Sequence, residues 1–341
     1  MRKPITQTVD QLQMPDAALR VTATDAGGDA AAHAGYLRDW PCLNSVEYRA
    51  GDDTAEQALT IAAWNIERCK RVEDAAALIA QTGADIVLAT EMDLGMARSS
   101  QRHTTRDLAD ALGMGYAFGV EFVELGLGDP FETETHTGQT NLHGLHGNAI
   151  LSRFPLSNVA VIPVADEGYW FATSPKGDGQ YRVGGRMAIA AQVDLPGGPL
   201  TLAAVHYESE DDATGRAAQT QVMLRAMQTL YGDGPCVIGG DLNTKDFGAA
   251  RMTGPEILAA PQPVEPSFAH FAAAGFDWRG ANTGAPTTRA APGRPVRYPL
   301  NRLDWLFTRG VTSSSPFVHA AVSERGEYLS DHELIGTRIE S

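Results

Sequence analysis

The chain is poor in cysteine, in basic residues and in long apolar runs. Its three cysteines, Cys42, Cys69 and Cys236, are scattered and odd in number. That excludes a disulfide framework and a cysteine-rich zinc site, and a reducing cytoplasm is the simplest expected setting. No stretch approaches the roughly 18 apolar residues that a membrane span needs, and "MRKPITQTVDQLQMPD" lacks the apolar segment of a signal peptide. Lys and Arg total 27 against 42 Asp and Glu, a formal net charge of −15. Such a surface repels a polyanion on average, whereas proteins that grip many phosphates usually show a basic face. Carboxylates gathered around divalent cations would account for part of the imbalance, because the count leaves metals out.

What is present is an ordinary globular composition over 341 residues, 43% hydrophobic and 20% charged. No internal repeat of solenoid period occurs. Residues 1–57 keep no sustained period and carry "TDAGGDAAAHAG"; they are expected to form an irregular extension, with 58–341 as the main domain. From Leu59 the pattern sharpens. "LTIAAWNIE" reads as a strand, "VEDAAALIAQTG" as a helix closing at Gly83, and "ADIVLATE" as a buried strand. "TTRDLADALGM" is a second helix, and residues 119–146 read as a long loop. "GNAILSRFPL" is a strand stopping at Pro155, and "RMAIAAQVDL" and "LTLAAVHYE" are neighbours across "PGGP". "TGRAAQTQVMLRAMQTLYG" is a helix with Thr214 at its N-cap, and "PCVIGGDLN" another buried strand. A second loop, 279–300, precedes "LDWLFTRG" and a last strand around 334–339. Helices alternate with strands, but hairpins are mixed in. Two sheets flanked by helices fit this better than one purely parallel sheet.

The buried strands share a habit: each ends in a carboxylate, amide or imidazole. "IAAWNIE" puts Asn65 and Glu67 on one face, "IVLATE" ends in Glu91, and "AAVH" in His206. "VIGGDLN" carries Asp241 and Asn243 two apart, hence on one side of an extended backbone, and "LDWLF" opens with Asp304. Gly239 and Gly240 leave room there for a neighbouring backbone or a ligand. "YLSDHELIG" sets Asp331 beside His332, and both can serve one site only at a strand mouth where the chain bends. Taken singly, each is an ordinary turn or capping residue. Taken together, several carboxylates at one place would repel unless cations sat among them or some were protonated. Hard oxygen ligands with positions left for substrate suit Mg²⁺.

In order along the chain, "WNIE", "ATE", "GNAILSRFPL", "AVH", "GGDLNT", "LDWLF" and "SDHELI" resemble the endonuclease/exonuclease/phosphatase superfamily, over about residues 59–337. The resemblance implies a DNase I-like, four-layered α/β/β/α sandwich with two central mixed β-sheets and a site at one edge. It implies metal-dependent hydrolysis of a phosphoester by attack of water, with Mg²⁺ or alternatively Mn²⁺. Glu91 resembles the principal metal ligand, helped by Asn65, with Asp331 binding metal directly or through water. Asp241 resembles the residue that orients or deprotonates the water, and Asn243 the amide on the scissile phosphate. His332 resembles the histidine beside that phosphate, Asp304 its carboxylate partner, and His206 the second histidine that protonates the leaving group. Arg186 could contact phosphate bidentately or be a surface arginine before its strand, and Asn148 is expected to lie near the site. Thr90 stands where the family often has Gln before its glutamate. The Tyr and basic N-terminal region typical of the apurinic-endonuclease branch are not recognisable.

These motifs give the reaction and leave the substrate to the loops 119–146, 165–185 and 279–300. Tyr169, Trp170 and Phe171 could stack on a substrate or simply pack beneath their loop. His143 and His146, with His136 nearby, form an HxxH pair that lacks a third ligand at fixed spacing. Arg289, Arg294, Arg297 and Arg302 make the most basic segment, expected to face an anionic substrate. Acidity favours a small or lipid-derived phosphoester; nucleic acid is the alternative, and a non-catalytic module is disfavoured because the motif residues are all in place. No protein partner is inferred.

Overall fold

The structure, a computed structural model, describes residues 2–173, 180–292 and 300–340. Among these, nine strands form one mixed sheet. Its order is Thr8–Val9, Val46–Arg49, Gly115–Glu124, Leu145–Ser152, Ile86–Leu94, Ala58–Arg68, Leu334–Glu340 and Thr312–His319, with Arg182–Gly184 beside Gly115–Glu124. Five form the second, in the order Asp304–Arg309, Cys236–Asp241, Gly198–His206, Arg186–Leu195 and Ser157–Ala165. Each sheet mixes parallel and antiparallel neighbours.

Strand alternation builds the layers. In Ala58–Arg68, Leu59, Ile61 and Ala63 face the second sheet, while Ala62 and Trp64 face the helices Val72–Gln81 and Thr104–Leu112. In Gly198–His206, Leu200, Leu202 and Ala204 join that central core, while Ala203 and Val205 pack with Met223, Phe268 and Phe271 under the helices Ala213–Tyr231 and Ser267–Ala273. Period-two patterning therefore buries both faces of both sheets. The four-layered sandwich is the observed fold.

Gly239 shows why a small residue is needed in the middle. A Cβ there would lie 2.7 Å from Leu306 Cδ2, 2.9 Å from Leu88 Cδ1 and 3.1 Å from Ala63 Cβ, the last two on the facing sheet. The close neighbours are thus the adjoining strand and the other sheet, not a ligand.

Several local expectations change. The N-terminal segment is not irregular: helices Ala17–Asp25 and Ala30–Asp39 form, and Thr8–Val9 and Val46–Arg49 join the larger sheet. Asp212, not Thr214, caps the long helix, accepting from the backbone N–H groups of Thr214 and Gly215, both at 2.9 Å. Residues 119–146 are only partly loop, because the strand Gly115–Glu124 runs into them and the helix Pro130–Thr135 lies within them. Gly83 does close its helix, with φ +65.

Candidate active site

Register puts the key groups in a row. At the end of the second sheet His206 pairs with Asp241, and Asp241 with Asp304. Opposite them, on the larger sheet, Asn65 pairs with Thr90. Glu91 follows in a register shift with φ 61, turning its carboxylate out of the ladder. Its neighbour in the cleft is Asn65, whose Nδ2 donates to Glu91 Oε1 at 3.3 Å and to Asp241 Oδ2 at 3.1 Å. The two sheets thus meet through one amide.

His332 lies just before the strand Leu334–Glu340. Its carbonyl accepts from Trp64 Nε1 at 2.8 Å, its backbone N–H donates to Ser330 Oγ at 3.0 Å, and its Nδ1 lies 2.8 Å from Asp304 Oδ2. Nε2 faces Asp241 Oδ2 at 3.7 Å. Burial opposes a charged ring, yet Asp304 and Asp241 outweigh it, and the His332 pKa stands well above the ordinary imidazole value. Burial also pushes Asp304 upward. Two carboxylates face one ring, so the imidazole is the seat of the proton. Asp241, Asp304 and His332 offer ligand atoms within 4.8 Å of one another. With Nδ1 engaged by Asp304, they read as a carboxylate–imidazole pair next to a further carboxylate.

Asn243 adopts φ 50; its N–H donates to Asp241 Oδ1 at 2.8 Å and its Nδ2 to the Tyr207 carbonyl at 2.9 Å. These bonds fix both side chains at the strand end. His206 Nε2 lies 3.6 Å from Asp241 Oδ2 and 4.0 Å from Glu91 Oε1. Its Nδ1 is 3.0 Å from Arg186 Nη1, while Glu121 Oε2 is more distant at 3.6 Å. Nδ1 thus lies between the Arg186 guanidinium and a buried carboxylate, and Nε2 is the nitrogen facing the cleft.

Arg186 departs from the expected phosphate contact. Nη1 donates to Glu121 Oε1 at 2.7 Å and Nε to Glu208 Oε2 at 3.1 Å, so two buried carboxylates already take its charge. Burial alone would raise Glu121, but Arg186 and His206 outweigh it and bring it down to about 2. Asn148 is fully buried and donates to the Met187 carbonyl at 3.2 Å, one residue beyond Arg186, while its Oδ1 has no hydrogen-bond partner. Asp331 is half-buried beside His332, and its carboxylate makes no hydrogen bond or ion pair among the described residues.

Other candidates do not gather here. His146 is buried against Asp93 at 2.8 Å, whereas His143 packs at Gly95, so the HxxH pair does not converge. Arg302 points inward to Asn282 Oδ1 and the Ala285 carbonyl and lies over the Trp305 ring; it does not face a substrate. Arg289 pairs with Glu333 at 2.9 Å, and Arg294 and Arg297 lie outside the described residues. Trp170 and Phe171 are buried, and Tyr169 is 45% exposed.

Sequence reasoning missed Glu121 and Arg68. Glu121 sat in a stretch read as loop, although a carboxylate inside the alternating run "GVEFVE" is a signal of a buried partner. Arg68 pairs with Glu91 through Nη1 and approaches Glu132 Oε1 at 3.4 Å.

The donor set fits a hard divalent ion. Glu91 and Asp241 bring carboxylate oxygens to one cleft, bridged by the Asn65 amide nitrogen, and the buried Asp304 Oδ1 has no hydrogen-bond partner. An α/β/β/α sandwich with acids, amides and a carboxylate-paired imidazole at its edge defines a phosphoester-hydrolase class. The model of the endonuclease/exonuclease/phosphatase family matches residues 62–332, and the chain belongs to this family. It is accordingly a metal-dependent phosphoester hydrolase. No curated protein matches the chain in sequence.

Solved structures share the fold. The endonuclease/exonuclease/phosphatase of Beutenbergia cavernae is 22% identical, with a TM-score of 0.55 over 83% of this chain and 72% of that one. The Bacteroides vulgatus protein of the same description is 16% identical, with a TM-score of 0.53 over 83% and 98%. TDP2 of D. rerio, solved with a single-strand DNA product, is 17% identical, with a TM-score of 0.51 over 83% and 99%. No helix among the described residues is long and apolar enough to cross a membrane.

Proposed function

We propose that the chain uses Mg²⁺ to hydrolyse a small or lipid-derived phosphodiester or phosphomonoester. The observation that carries this reading is the meeting of Asp241, His332, His206 and Glu91, from both sheets, around one amide, Asn65. In this reading Asp241, held by the Asn243 N–H, orients the attacking water and accepts its proton. His332, charged and fixed by Asp304, donates to a phosphoryl oxygen as negative charge builds there. His206, protonated, gives its Nε2 proton to the departing oxygen and is left a neutral imidazole, and Asn243 keeps one amide hydrogen for the phosphate. Glu91, Asn65 and Asp331 would hold the ion, which supplies Lewis-acid neutralisation of the phosphoryl charge when bound. Water's oxygen joins phosphorus, and the ester oxygen leaves with a proton.

Two observations favour a compact substrate. The net charge is −15, and the buried arginines near the cleft, Arg98, Arg182 and Arg186, are each already paired with carboxylates. The second reading, a nuclease, draws on the DNA product in the D. rerio neighbour. Three free, buried cysteines accord with a cytoplasmic setting.

The test compares nicking of supercoiled plasmid with turnover of bis-p-nitrophenyl phosphate, p-nitrophenyl phosphate and lipid phosphoesters, in Mg²⁺, with EDTA and Asp241→Ala controls. Turnover of a small ester, lost in both controls, with plasmid left intact is expected. Plasmid nicking lost in both controls makes the protein a nuclease.

A further inference from the structure

Among the described residues Arg98, Arg182, Arg186 and Arg68 lie in or beside the cleft, and the first three are locked. Arg98 is fully buried and donates to both oxygens of Asp93, each at 2.9 Å, and to Glu132 at 3.0 Å. Arg182 donates to Glu124 at 3.1 Å, and Arg186 is held by Glu121 and Glu208. Arg68 differs. Its Nη1 pairs with Glu91 Oε2, its Nε has no hydrogen-bond partner, and its side chain keeps 14% exposure.

The backbone aims this contact. Glu67, Arg68 and Cys69 have φ of 43, 73 and 50, three successive left-handed residues at the end of their strand. Arg68 then pairs with Met92 across a register shift, next to Glu91, which is left-handed as well. Non-glycine residues avoid that region, and such conformations persist only where surrounding structure enforces them. A strand continuing straight past Ile66 would not fold Arg68 back onto Glu91. Glu132, with Arg68 Nε 3.4 Å from its Oε1, stands as a second anchor.

We propose that Arg68 is a built-in counter-cation for Glu91: its guanidinium neutralises the carboxylate while no metal is bound, and a divalent ion must displace it. The inference rests on Glu91 being a metal ligand. A carboxylate edge occupied by a guanidinium cannot take an ion at the same oxygen, and two cations there repel. Displaced, the guanidinium retains Glu132. Metal affinity is therefore set by an exchange of cations rather than by an empty site.

Calorimetric titration with Mg²⁺ and with Mn²⁺ tests this on the full chain, using wild type, Arg68→Met, Arg68→Lys and Glu91→Gln. Removing the competitor is expected to tighten binding roughly tenfold in R68M, the size of an ordinary coupling between two sites, with R68K between R68M and wild type. Melting gives a second readout. In EDTA R68M melts below wild type, because Glu91 loses its cation, and it gains more on adding Mg²⁺. Unchanged or weaker binding in R68M, with E91Q binding abolished, overturns the role of Arg68 and leaves Glu91 as the ligand. Wild-type affinity in E91Q removes Glu91 from the metal site and overturns both.

Discussion

His332 Nδ1 and Asp304 Oδ2 stand 2.8 Å apart although 28 residues separate them, joining the mouth of a strand in the larger sheet to the first residue of a strand in the smaller. The Asp304 carboxylate, with Asp241, keeps the imidazole charged against the cost of burial. Because the folded pKa is raised, the charged form is fully present below the ordinary value and is lost as pH climbs through the raised one. Asp304→Asn removes the strongest stabiliser of that charge. The alkaline limb of the kcat/KM profile should then move to lower pH, because a close opposite charge that favours the imidazolium has been removed. A limb that stays in place in D304N would show that His332 is not the group titrating there.

The packing between the sheets also reaches the site. Gly239 lies two residues before Asp241 and is pressed by Leu88 and Ala63 of the facing sheet. Gly239→Ala forces a methyl group into contacts under 3 Å, an overpacking cost of about 1–3 kcal/mol. Because the strand must shift to relieve it, kcat should fall as well, even where the protein remains folded. Urea unfolding and steady-state kinetics on the same preparation check the pair of effects.

How much of this was legible in the sequence follows from what each residue depends on. Asp241, Asp304 and His332 were legible because ordered motifs at strand ends carry local information, and period-two burial marked most strands. Arg186 was misjudged because its fate depends on Glu121 and Glu208, which are distant in sequence and meet it only across the fold. Arg302 was misjudged likewise: a basic segment looks like surface until Asn282 and Trp305 turn one member inward. The strand Gly115–Glu124 was missed, its second half read as part of a loop, because its glycines and glutamates suggest loop, although all ten of its residues are buried. Helices 17–25 and 30–39 lack strong amphipathic spacing and depend on aspartate caps at Asp16 and Asp29.

Acid should weaken the fold through His146. Burial lowers its pKa to about 4, with Asp93 opposing and Arg68 and Arg98 assisting. In the unfolded chain the imidazole titrates near ~6.5. Between that value and about 4 the unfolded state binds a proton that the folded state does not, so stability falls as pH falls across this window. The loss approaches roughly 3 kcal/mol at its lower end. Urea unfolding at stepped pH should show this slope in wild type and a flatter one in His146→Gln. Parallel curves would mean that His146 is already neutral in both states or charged in both.

Leaving-group chemistry separates the two histidines. His206 contacts Arg186 at 3.0 Å, and Arg186 is anchored by Glu121 at 2.7 Å, so Glu121 positions the ring without entering the cleft. Glu121→Gln keeps the shape and loses the charge, freeing Arg186 to draw away toward Glu208. Proton donation to the departing oxygen should then suffer by about a hundredfold, the lower range for general-acid catalysis. The deficit should depend on the ester. Alkyl esters, whose alkoxide must be protonated as it leaves, should show the full loss in both E121Q and His206→Ala. Esters of p-nitrophenol leave as stable anions and should lose far less. Equal losses on both kinds of ester would assign His206 to binding the phosphate rather than to protonating the leaving group.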